Sequence, residues 1–159
     1  MPFSVTCNNP FAAVRDSSGR VVGNSGCDYN ADGSNFDRPN TPSFGNVINM
    51  DRQTLLTGVF KASDFPAPAF GLVGNLGRNM YTNPGLADTD LSIMRNFKLP
   101  WFKAEKSDLQ FRAETYNAFN RVNLGGISSN MASSTFGRVT SVNGSAPPRR
   151  FQFGLRFSF

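Results

Sequence analysis

The chain has 159 residues, of which 39% are hydrophobic and 17% charged, with 16 Lys+Arg against 11 Asp+Glu and no His. That length fits one domain. The basic residues are scattered singly apart from Arg149-Arg150, so the clustered footprint of a nucleic-acid binder is absent, and the lack of His removes imidazole catalysis and most zinc chemistry. No apolar run approaches the roughly eighteen residues of a transmembrane helix, and no window keeps a 3.6-residue apolar stripe. The missing charge is replaced by Gly, Ser, Asn, Thr and Pro, which are turn formers, while Phe is over-used at 16 against 1 Trp and 3 Tyr. The composition predicts an all-β chain with long loops.

Residues 2–7 read as the end of a strand. The first seven residues hold no basic region and no apolar core of signal-peptide length. An exported chain of this kind would carry its signal elsewhere, so it reads as a fragment or a mature piece of something longer. Cys7 and Cys27 bracket a polar loop. In an exported protein they pair, closing a loop of about twenty residues and contributing roughly 3 kcal/mol through chain entropy; in a cytosolic protein they are two free thiols. Between them, Ala12-Ala13-Val14 and Arg20-Val21-Val22 can form a small hairpin over Asp16-Ser17-Ser18-Gly19.

Asp28-Tyr29-Asn30-Ala31-Asp32-Gly33 matches the opening of a calcium loop. Oxygens from Asp28, Asn30 and Asp32 can converge on one cation, and Gly33 permits a sharp turn. Ca²⁺ takes six to eight oxygens. The position where an EF-hand carries its bidentate Glu is Pro39, which rules that motif out, and Asp37 could substitute from a different offset. The alternative is an ordinary loop of Asx turns. Farther on, a short helix or turn is predicted within residues 50–62, with Asp51 as its N-cap. Phe65-Pro66-Ala67-Pro68 stays extended, and Gly74-Asn75-Leu76-Gly77-Arg78-Asn79 turns.

After Pro84-Gly85 the pattern changes to alternation. Over residues 88–99, Leu91, Ile93, Phe97 and Leu99 share one side, and Asp90, Ser92, Asn96 and Lys98 the other; Met94 and Arg95 break the pattern. Residues 100–106 make a short turn containing Trp101 and Phe102. Residues 107–119 alternate again, with Leu109, Phe111, Ala113 and Thr115 on one face and Gln110, Arg112, Glu114 and Tyr116 on the other. A long loop, residues 120–148, contains a short β segment at 136–142. The final stretch alternates strictly: Phe151, Phe153, Leu155, Phe157 and Phe159 against Gln152, Gly154, Arg156 and Ser158.

Strands of about nine to eleven residues, apolar on one face and polar on the other, are the units of a membrane β-barrel. One short turn and two long loops fit the barrel rule of short periplasmic turns and long external loops, with Trp101 and Phe102 in the aromatic girdle. The predicted organisation is a strand stub over residues 1–7, a long external loop over 8–85, and three main strands with a second long loop over 86–159. Three or four strands cannot close a barrel, which needs about eight. The edges must therefore be completed by missing chain or by other copies of this one, because an open edge in hydrocarbon costs several kcal/mol per backbone group.

Several motifs, taken in order, carry a family likeness: Asp28 to Asn40, which ends Asp37-Arg38-Pro39-Asn40; Gly74-Asn75-Leu76-Gly77-Arg78-Asn79; Thr89-Asp90-Leu91-Ser92; Leu109-Gln110-Phe111-Arg112-Ala113-Glu114-Thr115-Tyr116-Asn117-Ala118-Phe119-Asn120; Phe136-Gly137-Arg138-Val139; and the Phe-terminated last strand. The set resembles the C-terminal end of Oar-like TonB-dependent outer-membrane receptors. The resemblance covers nearly the whole chain. It implies a barrel of roughly twenty-two strands with an N-terminal plug, importing bulky substrates across a Gram-negative outer membrane. It also implies that Phe151, Phe153, Phe157 and Phe159 form the aromatic signal read by the barrel-assembly machinery. The departure is that no plug, and no segment for engaging the energy-coupling protein, is recognisable here.

The expected function is a non-enzymatic C-terminal barrel segment of such a receptor, in contact with outer-membrane lipid and the assembly machinery. The alternative is a secreted, self-assembling fibre or ring subunit built by strand addition, located outside the cell. A third reading, a soluble calcium-binding adhesin-like module, rests on the Asp28 loop alone. No catalytic residue is expected: Asp90, Arg112 and Glu114 read as a charge network between strands, residues 128–134 offer serines without a base, and residues 71–77 lack the Lys of a phosphate loop.

Overall fold

The computed structural model describes residues 1–9, 12–24, 26–34, 36–45, 48–99 and 107–158. The expected girdle residues Trp101 and Phe102, the turn at 100–106 and the terminal Phe159 lie outside them. The elements are β1 (Pro2–Phe3), β2 (Ala13–Arg15), β3 (Val21–Asn24), α1 (Arg52–Thr57), a 3-10 turn (Ala62–Asp64), β4 (Tyr81–Thr82), β5 (Leu91–Lys98), β6 (Asp108–Tyr116) and β7 (Arg150–Ser158). All strand pairs among these elements are antiparallel, so the fold is all-β apart from one helical turn and a half. Among the described residues no helix is long and apolar enough to cross a membrane.

The chain divides into two compact units. The first comprises Met1–Gly85 and Leu124–Val142. It has little regular structure, yet it closes on a core of Val5, Leu55, Phe60, Phe65, Leu76, Tyr81, Ile127, Phe136 and Val139. Phe60 is the hub. Its ring lies 4.8 Å from Tyr81, 5.3 Å from Phe65, 5.9 Å from Phe136 and 6.1 Å from Phe44, centroid to centroid. The first two pairs are edge-on and the last two stacked, and such pairs add to what burial alone contributes.

Short polar clamps hold this core in place of sheet. Asp51 accepts the backbone N–H of Gln53 and Thr54 and caps α1, as the sequence predicts. The Arg38 guanidinium donates to the Leu76 carbonyl (2.7 Å), Leu76 N–H donates to the Pro39 carbonyl, and Asn40 and Asn75 each accept a backbone N–H from the other strand of this crossing. A Cβ on Gly74 would lie 1.9 Å from the Arg38 carbonyl oxygen, so only glycine lets the two segments cross. The expected strand over residues 2–7 shortens to β1, paired with β4. Beyond it Thr6 forms a parallel bridge to Asn130. The segment expected at 136–142 is reduced to isolated bridges at Val139 and Val142, because Gly137 turns at φ 74° against Phe60.

The second unit comprises Leu86–Asn123 and Asn143–Phe159. It is a three-stranded sheet in the order β5-β6-β7. β6 ends at Tyr116 because Asn117 takes φ 51°. Asn117 is buried, and its N–H and side chain make four hydrogen bonds. Its N–H donates to Asp90, its side-chain amide donates to the Arg121 and Pro147 carbonyls, and its Oδ1 accepts Arg121 N–H. Asn123 likewise clasps both the N–H and the carbonyl of Ala87. These two side chains bind the sheet's connections together where, among the described residues, no apolar core exists.

Candidate functional site: a two-faced sheet and the Asp28 loop

The register aligns the sheet into rows. One face carries Leu91–Thr115–Phe151, Ile93–Ala113–Phe153, Arg95–Phe111–Leu155 and Phe97–Leu109–Phe157. The other carries Ser92–Glu114–Gln152, Met94–Arg112–Gly154, Asn96–Gln110–Arg156 and Lys98–Asp108–Ser158. The pairing is continuous, so Met94 and Arg95 do not interrupt the strand. Instead Met94 falls on the polar face and Arg95 on the apolar one.

Among the described residues nothing within the unit covers the apolar face. Ile93, Phe153 and Leu155 are each about 70% exposed, and a patch on this scale exceeds what a monomer holds against water. Phe111 stacks on Phe153 at 6.4 Å between centroids. The four apolar rows span roughly 20 Å along the strand, a large part of the ~25 Å apolar band of a membrane barrel. Arg95 lays its guanidinium 5.6 Å from the Phe97 ring centroid, toward the end of β5, and Arg149 sits at the same distance from Phe151 beside the opposite end of the sheet. Both charges are thus carried along aromatic rings, in the manner of interfacial cations.

The polar face is hydrogen-bonded within itself. Arg112 pairs with Glu114, and the Gln110 amide donates to Asn96 (3.0 Å). Asp90 does not join that network; it accepts Asn117 N–H, so the expected trio of Asp90, Arg112 and Glu114 is split. Among the described residues the outer borders of β5 and β7 carry no strand partner.

Phe151, Phe153 and Phe157, expected to belong to an assembly signal, share the apolar face of β7. Cys7 and Cys27 are joined as a disulfide with Cα atoms 5.2 Å apart, and Cys27 is wholly buried. This fits an oxidising compartment.

In the Asp28 loop, both oxygens of Asp28 accept backbone N–H groups, from Asp32 and Gly33, at 3.0 Å. Asp37 accepts Tyr29 N–H (2.6 Å) and Asn30 N–H. Asn30 donates its amide to Asp32, and Asp32 accepts Ser34 N–H (2.7 Å). The Ser34 N–H and the Asn30 amide hold the Asp32 carboxyl below its ordinary value. Burial, reinforced by the Asp37 charge, pushes the Tyr29 phenol up. Asp28, Asn30, Asp32 and Asp37 therefore close the loop through amides. Among the described residues no group of three or more Asp, Glu, Cys or His is arranged to hold a metal.

Sequence reasoning missed Asn117 and Asn123, whose only signal was their place just after an alternating strand. It also missed the aromatic core around Phe60, which has no periodic signal at all. Residues 12–152 match the family model described as outer membrane beta barrel domain. Neither a curated protein nor a solved structure matches the chain.

Proposed function

We propose a function from one premise: this chain belongs to the outer membrane beta barrel domain family, and it resides in the outer membrane. In our reading it is the C-terminal barrel segment of an Oar-like TonB-dependent receptor, working as wall and external surface of a transporter rather than as an enzyme. The observation that carries this is the apolar face of the β5-β6-β7 sheet, continuous over four rows and uncovered. Lipid supplies its cover. The polar face, with Arg112, Glu114, Arg156 and Gln110, lines the lumen. The connection between β5 and β6 is short, while the chain between β6 and β7 is long, so the short connection lies in the periplasm and the first unit outside the cell.

The unpartnered borders of β5 and β7 support one alternative, assembly through strand pairing with other copies. Two measurements separate these readings. In nanodiscs of brominated lipid, with Trp101→Phe as background, Phe153→Trp is expected to be quenched strongly and Gln152→Trp weakly. Equal quenching at the two positions sinks the membrane-facing sheet. Uptake by cells expressing the protein should collapse on adding a protonophore. Uptake that persists removes the energy-coupled receptor, and filaments in detergent-free buffer favour assembly.

A further inference from the structure

The first unit contains a cavity of about 250 Å³ that no part of the barrel reading uses. Lys61, Arg138, Ser133, Ser134, Met131 and Phe136 are among its walls, and no acidic side chain lines it. Among the described residues the one ion pair is Arg112–Glu114, so neither Lys61 nor Arg138 is neutralised. The acid nearest Lys61 in sequence, Asp64, turns its carboxylate to accept the Lys61 backbone N–H (2.8 Å).

Backbone holds the two walls together. Val59 N–H donates to the Gly137 carbonyl (2.9 Å), and Val139 N–H donates to the Leu55 carbonyl (2.8 Å). Gly137, at φ 74°, lets the chain press against Phe60, where a Cβ would lie 2.5 Å from the Phe60 carbonyl oxygen. The Arg138 stem runs across Gly58, with Cγ 3.6 Å from where a Cβ would stand. Ser133 is oriented by Thr135, whose N–H donates to it. The cavity is thus pre-formed, which lowers the ordering cost of binding.

We infer that this cavity is a binding site for an anionic sugar, a monosaccharide unit bearing a carboxylate or phosphate. The flat guanidinium of Arg138 accommodates two oxygens of either anion, and Lys61 adds a point charge beside it. The Ser134 hydroxyl is available to sugar hydroxyls, while Met131, beside the largely buried Phe136, offers an apolar surface for the C–H face. The space is larger than a bare inorganic anion fills, and the mixed lining suits a body with both polar and apolar sides. This inference does not depend on the receptor reading, since it concerns a unit with its own core.

The test is calorimetric titration of the full chain in nanodiscs with glucuronate, glucose 6-phosphate, glucose and inorganic phosphate. At least one charged sugar should bind at least about tenfold more tightly than glucose and than phosphate alone. The charged sugar that binds identifies the anion. Arg138→Gln and Lys61→Gln should each weaken that binding about tenfold, and Arg20→Gln, on a distant turn, should leave it unchanged. Ser134→Trp, at an exposed wall position, should abolish binding while the denaturation midpoint is retained. No heat from either charged sugar at about 10 mM, glucose or phosphate binding as well as the charged sugars, or equal affinity in the Arg138→Gln and Arg20→Gln variants would each overturn the site.

Discussion

The two units invert each other. Among the described residues, Met1–Gly85 with Leu124–Val142 has a nine-residue buried core and almost no sheet, whereas β5-β6-β7 has continuous sheet and no core. Regular hydrogen bonding and apolar burial are usually met together because a strand's apolar face needs a second layer. In the placement proposed above they come apart because the surroundings differ. In water the first unit must gather its rings around Phe60 and satisfies its irregular backbone through side chains such as Asp51, Asn75 and Asn130. In hydrocarbon the sheet's rings already have an apolar neighbour, while an unpaired backbone group there is costly, so ladder pairing dominates.

The largest expected effect breaks the first unit alone. Phe60→Ala removes the ring that touches Phe65, Tyr81 and Phe136, and should cost ~3–5 kcal/mol. Hydrogen exchange on the protein in nanodiscs should show residues 48–82 opening, with β5-β6-β7 still protected. Loss of protection in both units together would mean that they are not separately stable.

The second effect belongs to the sheet. Leu155→Arg, on the apolar face, should cost ~2–4 kcal/mol of insertion stability, while Arg at neighbouring Gln152, on the polar face, should change it little. Folding titrations into vesicles at a series of urea concentrations read both. If the two substitutions cost the same, the faces are assigned wrongly.

A smaller change sharpens the same contrast. Arg95 is the single charge in the four apolar rows, so Arg95→Leu should raise insertion stability. Leu155 shares the row of Arg95, but the native guanidinium already lies along Phe97 toward the strand end, so the gain should be near 1 kcal/mol, less than the cost of a newly placed Arg at that depth. The same urea titration measures it, and a loss of stability would mean that Arg95 faces a partner rather than lipid.

The sheet was legible because period-two alternation is a local signal. β5, β6 and β7 fall within the stretches that alternate, and β2–β3 close over the expected Asp16–Gly19 turn. The exception is instructive: Met94 and Arg95 looked like a break, but pairing to β6 on one side held the register through both. The first unit was read as loop because its core residues come from four distant segments, near Val5, Phe60, Leu76 and Phe136, with no common period. Its Gly, Asn and Asp content did announce irregular backbone. What composition did not disclose is which of these residues are clamps, since Asn75 and Asn130 differ from the other asparagines only in what the fold brings to them. The Asp28 motif shows the same limit, because its spacing suits a cation and a chain of Asx turns equally well.

The smallest expected effect concerns those turns. Asp16 accepts the Ser18 hydroxyl and the N–H groups of Ser18 and Arg20, and the first of these does most to hold its carboxyl below the ordinary value. Asp32 is lowered in the same direction by Ser34 N–H and the Asn30 amide. A carboxyl with a lowered folded value supports the folded state above its unfolded value of 3.8 and loses that support as pH falls through the folded one. Both side chains are fully exposed, so water screens most of the benefit. Acidification below pH ~4 should therefore loosen the β2–β3 turn and the Asp28 loop first, seen as lower protection at Ser18, Arg20 and Ser34 once each amide's exchange is divided by its intrinsic rate at the same pH. Asp16→Asn should remove the pH dependence of that protection at Ser18 and Arg20 while leaving Ser34 unaffected. Protection at Ser18 that still follows pH in that variant would show that another group controls the turn.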